Sequence, residues 1–225
     1  AYQPSVIISV HPLLQEAPQR VLARHRVTLP WVTVVTDLGS IHPTWFHPAA
    51  ALCFVPTAAA YEQAVHAGLP PGHVRISGLP LRLAFASPPG PKQVLRRALG
   101  LQADAPTVLV MGGGEGIGPL RAIADALAGR LAAAGRGQVV VVCGRNRRLQ
   151  DELASLEWPA PVRVCGFVNN IAAWMAAADC IVTKAGPGAI AEAMASGLPL
   201  VLSGYIAGQE TGNVDYVVRN GIGVY

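Results

Sequence analysis

Short runs of apolar, largely β-branched residues alternate with segments of helical spacing along most of this chain of 225 residues. Typical runs are WVTVV at 31–35, TVLVM at 107–111 and VVVVC at 139–143. Such runs are too short to be core helices, and they are apolar throughout, as strands covered on both faces of a parallel sheet are. The helical segments between them are the crossover connections that parallel strands need. The alternation therefore predicts an α/β chain built from doubly wound parallel sheets.

One proline-rich segment interrupts the alternation. The stretch SGLPLRLAFASPPGPK, which ends at Lys92, contains four prolines and separates two series of strands and helices. We therefore predict a linker over residues 81–92, between an N-terminal domain over residues 1–80 and a C-terminal domain over residues 93–225. Because strand-like runs lie close to both ends of the chain, we expect each domain to be truncated at its outer end.

The composition excludes several classes of protein. With 52% hydrophobic and 13% charged residues, the chain is not intrinsically disordered. No apolar run approaches the roughly 18 residues of a membrane-spanning helix. The four cysteines form no CxxC pair, so we expect reduced core thiols rather than disulfides or zinc ligands. A net charge of +4 is compatible with anionic ligands or an anionic membrane surface and identifies neither of them.

The glycine-rich segment 112–118 directly follows one predicted strand and directly precedes a helix. Its sequence, GGGEGIG, has five glycines in seven positions, more than a tight turn alone requires. Glycines let the backbone approach a ligand closely, and a helix N-terminus offers N–H donors to phosphate. The segment matches neither the Walker pattern nor GxGxxG, and no strand about 20 residues further on ends in an acidic residue. A nicotinamide dehydrogenase is therefore disfavoured.

Two further loops after predicted strands carry polar chemistry. Lys184–Gly188, with the sequence KAGPG, opens a helix whose N-terminus can face a phosphate, and Glu192 follows one turn later, where it can bind ribose hydroxyls. Structural alternatives are a solvated Lys184 and a Glu192 that only favours the helix dipole. Residues 208–213, GQETGN, carry side chains suited to a polyhydroxyl such as a sugar. A capped turn would explain Asn213 alone.

The aromatic loop HPTWFH at 42–47 follows Asp37, which closes the second strand. His42 and His47 have no further clustered ligands, so we do not expect a metal site there. Trp45 and Phe46 are either a plug in the core or an exposed apolar anchor, and their spacing favours neither alternative.

Several of these segments together resemble one known family. They are VVTDLGSIHPTWFH, SGLPLR, VLVMGGGEGIGP, VVCGRNRRL, VCGFVNNI, DCIVTKAGPGAIAEAMASGLPLVL and YIAGQETGNVDYVV. They closely resemble the monogalactosyldiacylglycerol synthases, the galactolipid synthases of plant and algal plastids. These are related to the bacterial glycosyltransferase that adds N-acetylglucosamine to the peptidoglycan lipid precursor. The resemblance runs over essentially the whole chain and implies a GT-B fold of two Rossmann-like domains facing a cleft.

The resemblance implies transfer of galactose from UDP-galactose to 1,2-diacylglycerol with inversion. It places the donor ligands in the linker and the C-terminal domain, at Arg82, Gly112, Gly113, Gly114, Gly116, Gly118, Arg145, Phe167, Val168, Lys184, Gly186, Pro187, Gly188, Glu192, Gln209, Glu210 and Asn213. It places acceptor or lipid contacts at Asp37, His42, Trp45 and Phe46. It also implies a general-base histidine upstream of Ala1, with His11 and His42 as weak candidates within the chain, and no metal or cofactor besides the donor.

The same resemblance implies peripheral binding to the plastid envelope, favoured by anionic lipids such as phosphatidic acid, and no nucleic-acid partner. We expect Trp45 to be the membrane anchor, because tryptophan prefers the headgroup interface. A diacylglycerol glucosyltransferase that uses UDP-glucose, a UDP-sugar epimerase and a non-catalytic UDP-sugar or lipid-binding module remain as alternatives. If the base lies upstream, the chain alone binds donor without transferring sugar.

Overall fold

The computed structural model describes residues 3–39, 41–87 and 90–225, so Pro88 and Pro89 of the predicted linker lie outside the described residues. The chain divides into two compact units. The first comprises Ala1–Pro80 and Glu210–Tyr216, and the second comprises Leu81–Gln209 and Val217–Tyr225. The sequence assigned residues 210–216 to the C-terminal domain, whereas in the structure they cluster with the first unit.

The first unit contains a parallel four-stranded sheet in the order β1-β2-β3-β4. Its strands and helices are β1 (Ile7–Ser9), α1 (Glu16–Arg24), β2 (Trp31–Val34), β3 (Leu52–Val55), α2 (Ala58–His66) and β4 (Val74–Ile76). The core of this unit gathers residues from β3, α2 and the segment that follows β2, including Val35, Cys53 and Val55. These side chains come from separate short segments, so the core exists only once the sheet has formed.

The second unit contains a parallel six-stranded sheet in the order β10-β9-β8-β5-β6-β7. Its strands are β5 (Thr107–Met111), β6 (Gln138–Val142), β7 (Val162–Cys165), β8 (Cys180–Thr183), β9 (Leu200–Leu202) and β10 (Gly223–Val224). Its helices are α3 (Lys92–Ala98), α4 (Leu120–Ala133), α5 (Arg147–Ala154), α6 (Ile171–Ala177), α7 (Pro187–Ala195) and α8 (Thr211–Arg219), of which α8 begins in the first unit. The central strand β6 is buried along its whole length, as its continuous valines predict.

The direction of the strand order reverses beside β5. After β5 the chain adds β6 and β7 on one side, and β8 then pairs with the other side, with Met111 opposite Thr183. In open α/β sheets the loops at the carboxyl ends of the two strands at such a reversal diverge and leave a crevice, in which ligands bind. The loops after β5 and β8 are the glycine-rich segment and KAGPG, so the topology brings the two predicted phosphate loops together.

The amino ends of β5 and β8, opposite the glycine-containing loops, are held by an ion-pair network around Asp179. Its carboxylate accepts hydrogen bonds from Lys92 Nζ at 2.9 Å, Arg96 Nη2 at 2.6 Å and the backbone N–H of Thr107 at 2.8 Å. Arg96 is buried and also donates to the carbonyl oxygen of Ala177 at 2.8 Å. Partial burial by itself would raise the pKa of Asp179, but the hydrogen bonds and positive charges outweigh it and lower this pKa below its ordinary value.

The four cysteines are unpaired, as expected for reduced thiols. Burial raises the pKa of the Cys53 and Cys143 thiols to about 11, so both are protonated at neutral pH. Among the helices of the described residues, none is long and apolar enough to cross a membrane.

Candidate functional site

The glycine-rich loop 112–118 folds back on itself and packs against the turn after β6. The N–H of Ile117 donates to the carbonyl oxygen of Gly112 at 3.0 Å, and the N–H of Arg145 donates to that of Gly114 at 2.8 Å. A Cβ atom added at Gly112 would lie 2.3 Å from the Ile117 carbonyl oxygen, and one at Gly116 would lie 2.2 Å from that of Cys143. Gly116 also has a φ of +62°, in the left-handed region. Gly112 and Gly116 are therefore required by the loop itself.

The other three glycines of this loop have open space around them, but Gly113 and Gly118 have φ angles of +74° and +111°, which favour glycine, whereas Gly114 lies outside the left-handed region. A Cβ atom at Gly114 would have no neighbour nearer than Arg145 Nη1 at 3.9 Å, and one at Gly118 would meet nothing within 4 Å. At Gly113 the nearest atom would be Lys184 Cε at 3.9 Å, which brings the lysine of the β8 loop to the β5 loop. Protein packing does not explain the lack of a side chain at Gly114, so close approach of a ligand is the better explanation.

The β8 loop leads into α7, whose first turn is made of small residues. Gly186 is the N-cap and has no side chain to accept a capping hydrogen bond, Pro187 is the first helical residue, and a Cβ atom at Gly188 would meet nothing within 4 Å. The first turn of a helix presents N–H groups without partners inside the helix, together with the positive end of the helix dipole. With Lys184 alongside, this turn has the chemistry of a phosphate site.

Arg82 and Glu192, which were expected to bind phosphate and ribose, form an ion pair with each other. Arg82 Nη2 lies 2.5 Å and Arg82 Nε lies 3.0 Å from the same Glu192 carboxylate oxygen, Oε1. The glutamate side chain is mostly buried, whereas that of the arginine is half exposed. The pair places Glu192 in a fixed orientation on α7 and leaves the arginine able to exchange a carboxylate for a phosphate.

Phe167 and Val168 follow β7 and line a small cavity with Arg82 and the glycine-rich loop. The cavity has a volume of about 100 Å³ and is lined by Arg82, Met111, Gly113, Gly114, Val142, Gly144, Phe167, Val168 and Ile171. The Phe167 ring is 55% exposed, which is unusual for an aromatic side chain of this size. Cavity and ring together offer an apolar surface beside the phosphate loops, where a flat heterocycle could bind.

Arg145 contacts Phe167 but does not line this cavity. Its guanidinium carbon is 5.1 Å from the centre of the Phe167 ring, and its Nη1 atom lies 2.5 Å from Glu115 Oε1. It also lines an open, polar depression with Arg147, Gln150 and Asp151. The structure therefore places Arg145 against Phe167 and Glu115, with its Nη1 atom near the open side of Gly114.

The predicted sugar ligands after β9 separate into one exposed and two buried residues. Gln209 is exposed, whereas Glu210 and Asn213 are buried. The Asn213 side-chain oxygen accepts hydrogen bonds from the backbone N–H groups of Leu38 and Gly39, both at 3.2 Å, within the first unit. Asn213 was expected among the donor ligands, but its observed contacts are structural, since they satisfy backbone groups of the loop after β2.

Trp45 and Phe46 belong to the core of the first unit. Trp45 is 1% exposed, and its ring N–H donates to Asp37 Oδ2 at 2.8 Å. Both aromatic residues pack with Val35, Val55 and their neighbours. Our expectation of Trp45 as an exposed membrane anchor is therefore wrong for this structure, and the core-plug alternative is the one observed. Because the Asp37 carboxylate accepts this hydrogen bond from the indole, it positions Trp45.

The candidate base residues His11 and His42 are both exposed and both cap short turns. Nδ1 of His11 accepts from the N–H of Leu13 at 3.2 Å, and that of His42 accepts from the N–H of Thr44 at 3.3 Å. His11 follows β1, at the carboxyl edge of its sheet. Nothing in the part of the chain that the structure describes groups three or more metal-binding side chains.

Two models of known protein families match different parts of the chain. The model "Monogalactosyldiacylglycerol (MGDG) synthase" matches residues 1–81, and the model "Glycosyltransferase family 28 C-terminal domain" matches residues 107–225, more than half of the chain. The chain belongs to glycosyltransferase family 28.

The resemblance to galactolipid synthases is confirmed over the whole length. The chain is 50% identical to chloroplastic monogalactosyldiacylglycerol synthase 1 of Arabidopsis thaliana, across 100% of this chain and 43% of that protein. This chain therefore spans less than half the length of that relative.

Solved structures confirm the GT-B fold class. The glycotransferase of kitacinnamycin matches with a TM-score of 0.67 and 18% identity, over 99% of this chain and 63% of that one. The Anabaena protein HepE, solved in complex with UDP-glucose, matches with a TM-score of 0.53 and 19% identity, over 88% of this chain and 59% of that one. At these identities the likeness concerns the fold alone.

Gly144 was not predicted from the sequence, although the packing of the glycine-rich loop requires it. It has a φ of +59°, and a Cβ atom there would lie 2.3 Å from the carbonyl oxygen of Gly114. A glycine directly after the buried strand β6 was the available signal, because ligand loops follow strands of a parallel sheet. Met111, Val142 and Ile171 were also missed, since buried apolar residues near a cavity look like any others in sequence.

Proposed function

We propose that this chain is the donor-binding part and a share of the acceptor part of an enzyme that transfers galactose from UDP-galactose to 1,2-diacylglycerol. The product is monogalactosyldiacylglycerol, and the reaction belongs to galactolipid biosynthesis. Support comes from membership in glycosyltransferase family 28 and from 50% identity to a protein named for this activity. The single observation that carries the proposal is the meeting of two glycine-containing loops at the reversal of the strand order.

In the proposed donor complex the diphosphate lies between the glycine-rich loop and the first turn of α7. Gly113 and Gly114 leave room for it, and Lys184 and Arg82 supply positive charge. Glu192 holds the ribose hydroxyls, and the uracil packs against Phe167 and Val168 beside the cavity. Gln209, which is exposed, is the proposed contact to the galactose hydroxyls.

Inversion at the anomeric carbon needs a single in-line displacement. A base removes the proton of the diacylglycerol hydroxyl, the oxygen bonds to the anomeric carbon, and the bond to the UDP oxygen breaks on the opposite face. The negative charge that develops on UDP is stabilised by the N–H groups of the α7 first turn and by Arg82 and Lys184. We expect this step to need no cofactor beyond the donor.

For the acceptor we propose a lipid-facing turn that begins at His11, in place of Trp45. Leu13 and Leu14 are 71% and 56% exposed in the turn after β1. Leucines exposed in this way bind a lipid surface by burying apolar area, and anionic lipids such as phosphatidic acid strengthen such contact with a chain of net charge +4. The proposed location is the chloroplast envelope, with peripheral attachment.

The donor proposal is tested by calorimetric titration of the chain with UDP, UDP-galactose and UDP-glucose. Transfer is tested by incubating a longer protein that carries this chain with each donor and diacylglycerol vesicles. We expect UDP to bind and galactolipid to form from UDP-galactose. Preferred transfer from UDP-glucose, the ligand in the HepE structure, would favour the glucosyltransferase alternative. Donor conversion without lipid would indicate an epimerase, and binding without any transfer would indicate a non-catalytic module.

The lipid proposal is tested by flotation with vesicles that contain phosphatidic acid. The double variant Leu13→Ser and Leu14→Ser should bind vesicles less than the wild type, because it removes two exposed apolar side chains without opening the core. Leu83→Ser is the matched control, since Leu83 is 87% exposed and lies in the second unit. An equal loss of vesicle binding in the double variant and in Leu83→Ser would show that general surface hydrophobicity, not this turn, governs binding.

A further inference from the structure

Three consecutive loops at the carboxyl edge of the second sheet are joined by side-chain contacts. Glu115 belongs to the loop after β5, Arg145 to the turn after β6 and Phe167 to the turn after β7. Because β5, β6 and β7 are neighbours in the sheet, these loops lie side by side. Arg145 occupies the middle position and contacts both of the others, through Nη1 to the carboxylate and through its guanidinium plane to the ring.

Arg145 differs from Arg82, the proposed phosphate ligand, in the surface that it lines. Phe167 and Val168 line the small cavity with Arg82 and the open glycines, whereas Arg145 lines the polar depression that it shares with Phe167, Arg147 and Gln150. The Arg145 guanidinium donates to the Glu115 carboxylate at 2.5 Å and lies over the Phe167 ring. A planar guanidinium can pack over an aromatic ring and donate to a carboxylate at the same time, which an ammonium group cannot do equally well.

We infer that Arg145 is a positioning residue that braces Phe167 and couples this base platform to the glycine-rich loop through Glu115. The inference rests on the proposed function, which assigns the Phe167 surface to the base of a nucleotide. An aromatic ring more than half exposed has few neighbours to fix its orientation, so the guanidinium supplies that support. Arg145 thus sets affinity for the nucleoside part of the donor, and it does so through Phe167.

The first test measures hydrogen exchange of the ligand-free protein, so that its outcome is independent of nucleotide binding. In Arg145→Ala we expect exchange at the amides of Gly116 and Ile117, which donate to Gly113 and Gly112 within the loop, to rise about five- to tenfold. The Arg145 N–H bond to Gly114 persists in this variant because it is a backbone bond. Arg148→Ala, which removes an exposed charge three residues away, should leave these amides unchanged. Unchanged exchange in Arg145→Ala would overturn the brace.

The second test compares uridine, UDP and pyrophosphate as ligands. Arg145→Ala and Arg145→Lys should both weaken uridine and UDP by the same factor, about fivefold, and leave pyrophosphate affinity unaltered. Glu115→Gln should weaken the neutral nucleoside uridine in the same direction, an effect that no change of charge near a phosphate can produce. Loss of pyrophosphate and UDP affinity with intact uridine affinity, largely restored in Arg145→Lys, would make Arg145 a phosphate ligand and refute the inference.

The two proposals fail in different ways. If wild-type protein binds neither uridine nor UDP while Arg145→Ala still raises exchange in the glycine-rich loop, the proposed donor site is wrong and the brace stands. If the wild type binds UDP and exchange in Arg145→Ala matches that of Arg148→Ala, the donor site stands and the brace is wrong.

Discussion

Replacing Gly116 and Gly114 in turn by alanine separates the glycines that the loop requires from those that the ligand requires. At Gly116 an alanine must keep a φ of +62°, which costs about 1–2 kcal/mol for a residue with a Cβ atom. Its Cβ would also lie 2.2 Å from the Cys143 carbonyl oxygen, a backbone atom at the end of a buried strand, and relief of such overpacking costs about 1–3 kcal/mol. The sum is about 2–5 kcal/mol, or a fall in Tm of about 4–20 °C for a chain of this size.

Gly114→Ala provides the matched control two residues away. Its backbone is outside the left-handed region, and its Cβ would have no neighbour nearer than 3.9 Å, so stability should change by less than about 0.5 kcal/mol. If the diphosphate lies against this loop, the added methyl group should weaken UDP binding about tenfold or more. Chemical denaturation measures the first quantity and calorimetry the second. Equal stability of the two variants would refute the packing argument, and wild-type UDP affinity of Gly114→Ala would refute the ligand assignment.

Three further predictions concern other parts of the two units. Glu192→Ala should weaken UDP binding by about 1–3 kcal/mol, that is 5- to 150-fold by calorimetry, because a charge-assisted contact to the ribose is lost; an unchanged Kd would remove the ribose assignment. Trp45→Ala should lower the free energy of unfolding by about 3–5 kcal/mol in urea, whereas full stability with reduced vesicle binding would restore the anchor hypothesis. Asp179→Asn should lower the stability by about 1–3 kcal/mol at pH 7. Since the folded pKa of Asp179 is lowered, its contribution is present above the unfolded pKa of 3.8 and lost as the pH falls through the folded value. The difference between wild type and variant should therefore shrink below about pH 4; a difference that is constant down to pH 2 would contradict the assigned cause.

Local patterns were sufficient to predict the sheets. The valine run of β6 and the apolar residues of β5 have few other stable arrangements than strands covered on both faces. The glycine-rich segment was equally informative, because positive φ angles and close backbone approach demand glycine at fixed positions. These features depend on a residue and its nearest neighbours in the chain, and so they can be recognised in the sequence.

The burial of side chains on loops could not be predicted from such local patterns. An aromatic pair beside a proline has the same sequence whether it anchors a membrane or fills a core, and only the positions of β3 and α2 decided that Trp45 and Phe46 are covered. The same holds for Asn213, whose side chain contacts backbone groups 174 and 175 residues earlier in the chain.

The side-chain partners within the donor site were also decided by tertiary structure. Arg82 and Glu192 are 110 residues apart, and no spacing in the sequence indicates that they form an ion pair before any ligand binds. Arg145 reaches Glu115 and Phe167 only because the strand order places β6 between β5 and β7. The sequence by itself determined which elements form and which loops are built on glycine, since those depend on local backbone preference and apolar period. Which charges are paired, and which aromatic residues remain available to a ligand, depended on contacts between distant segments that exist only in the folded sheet.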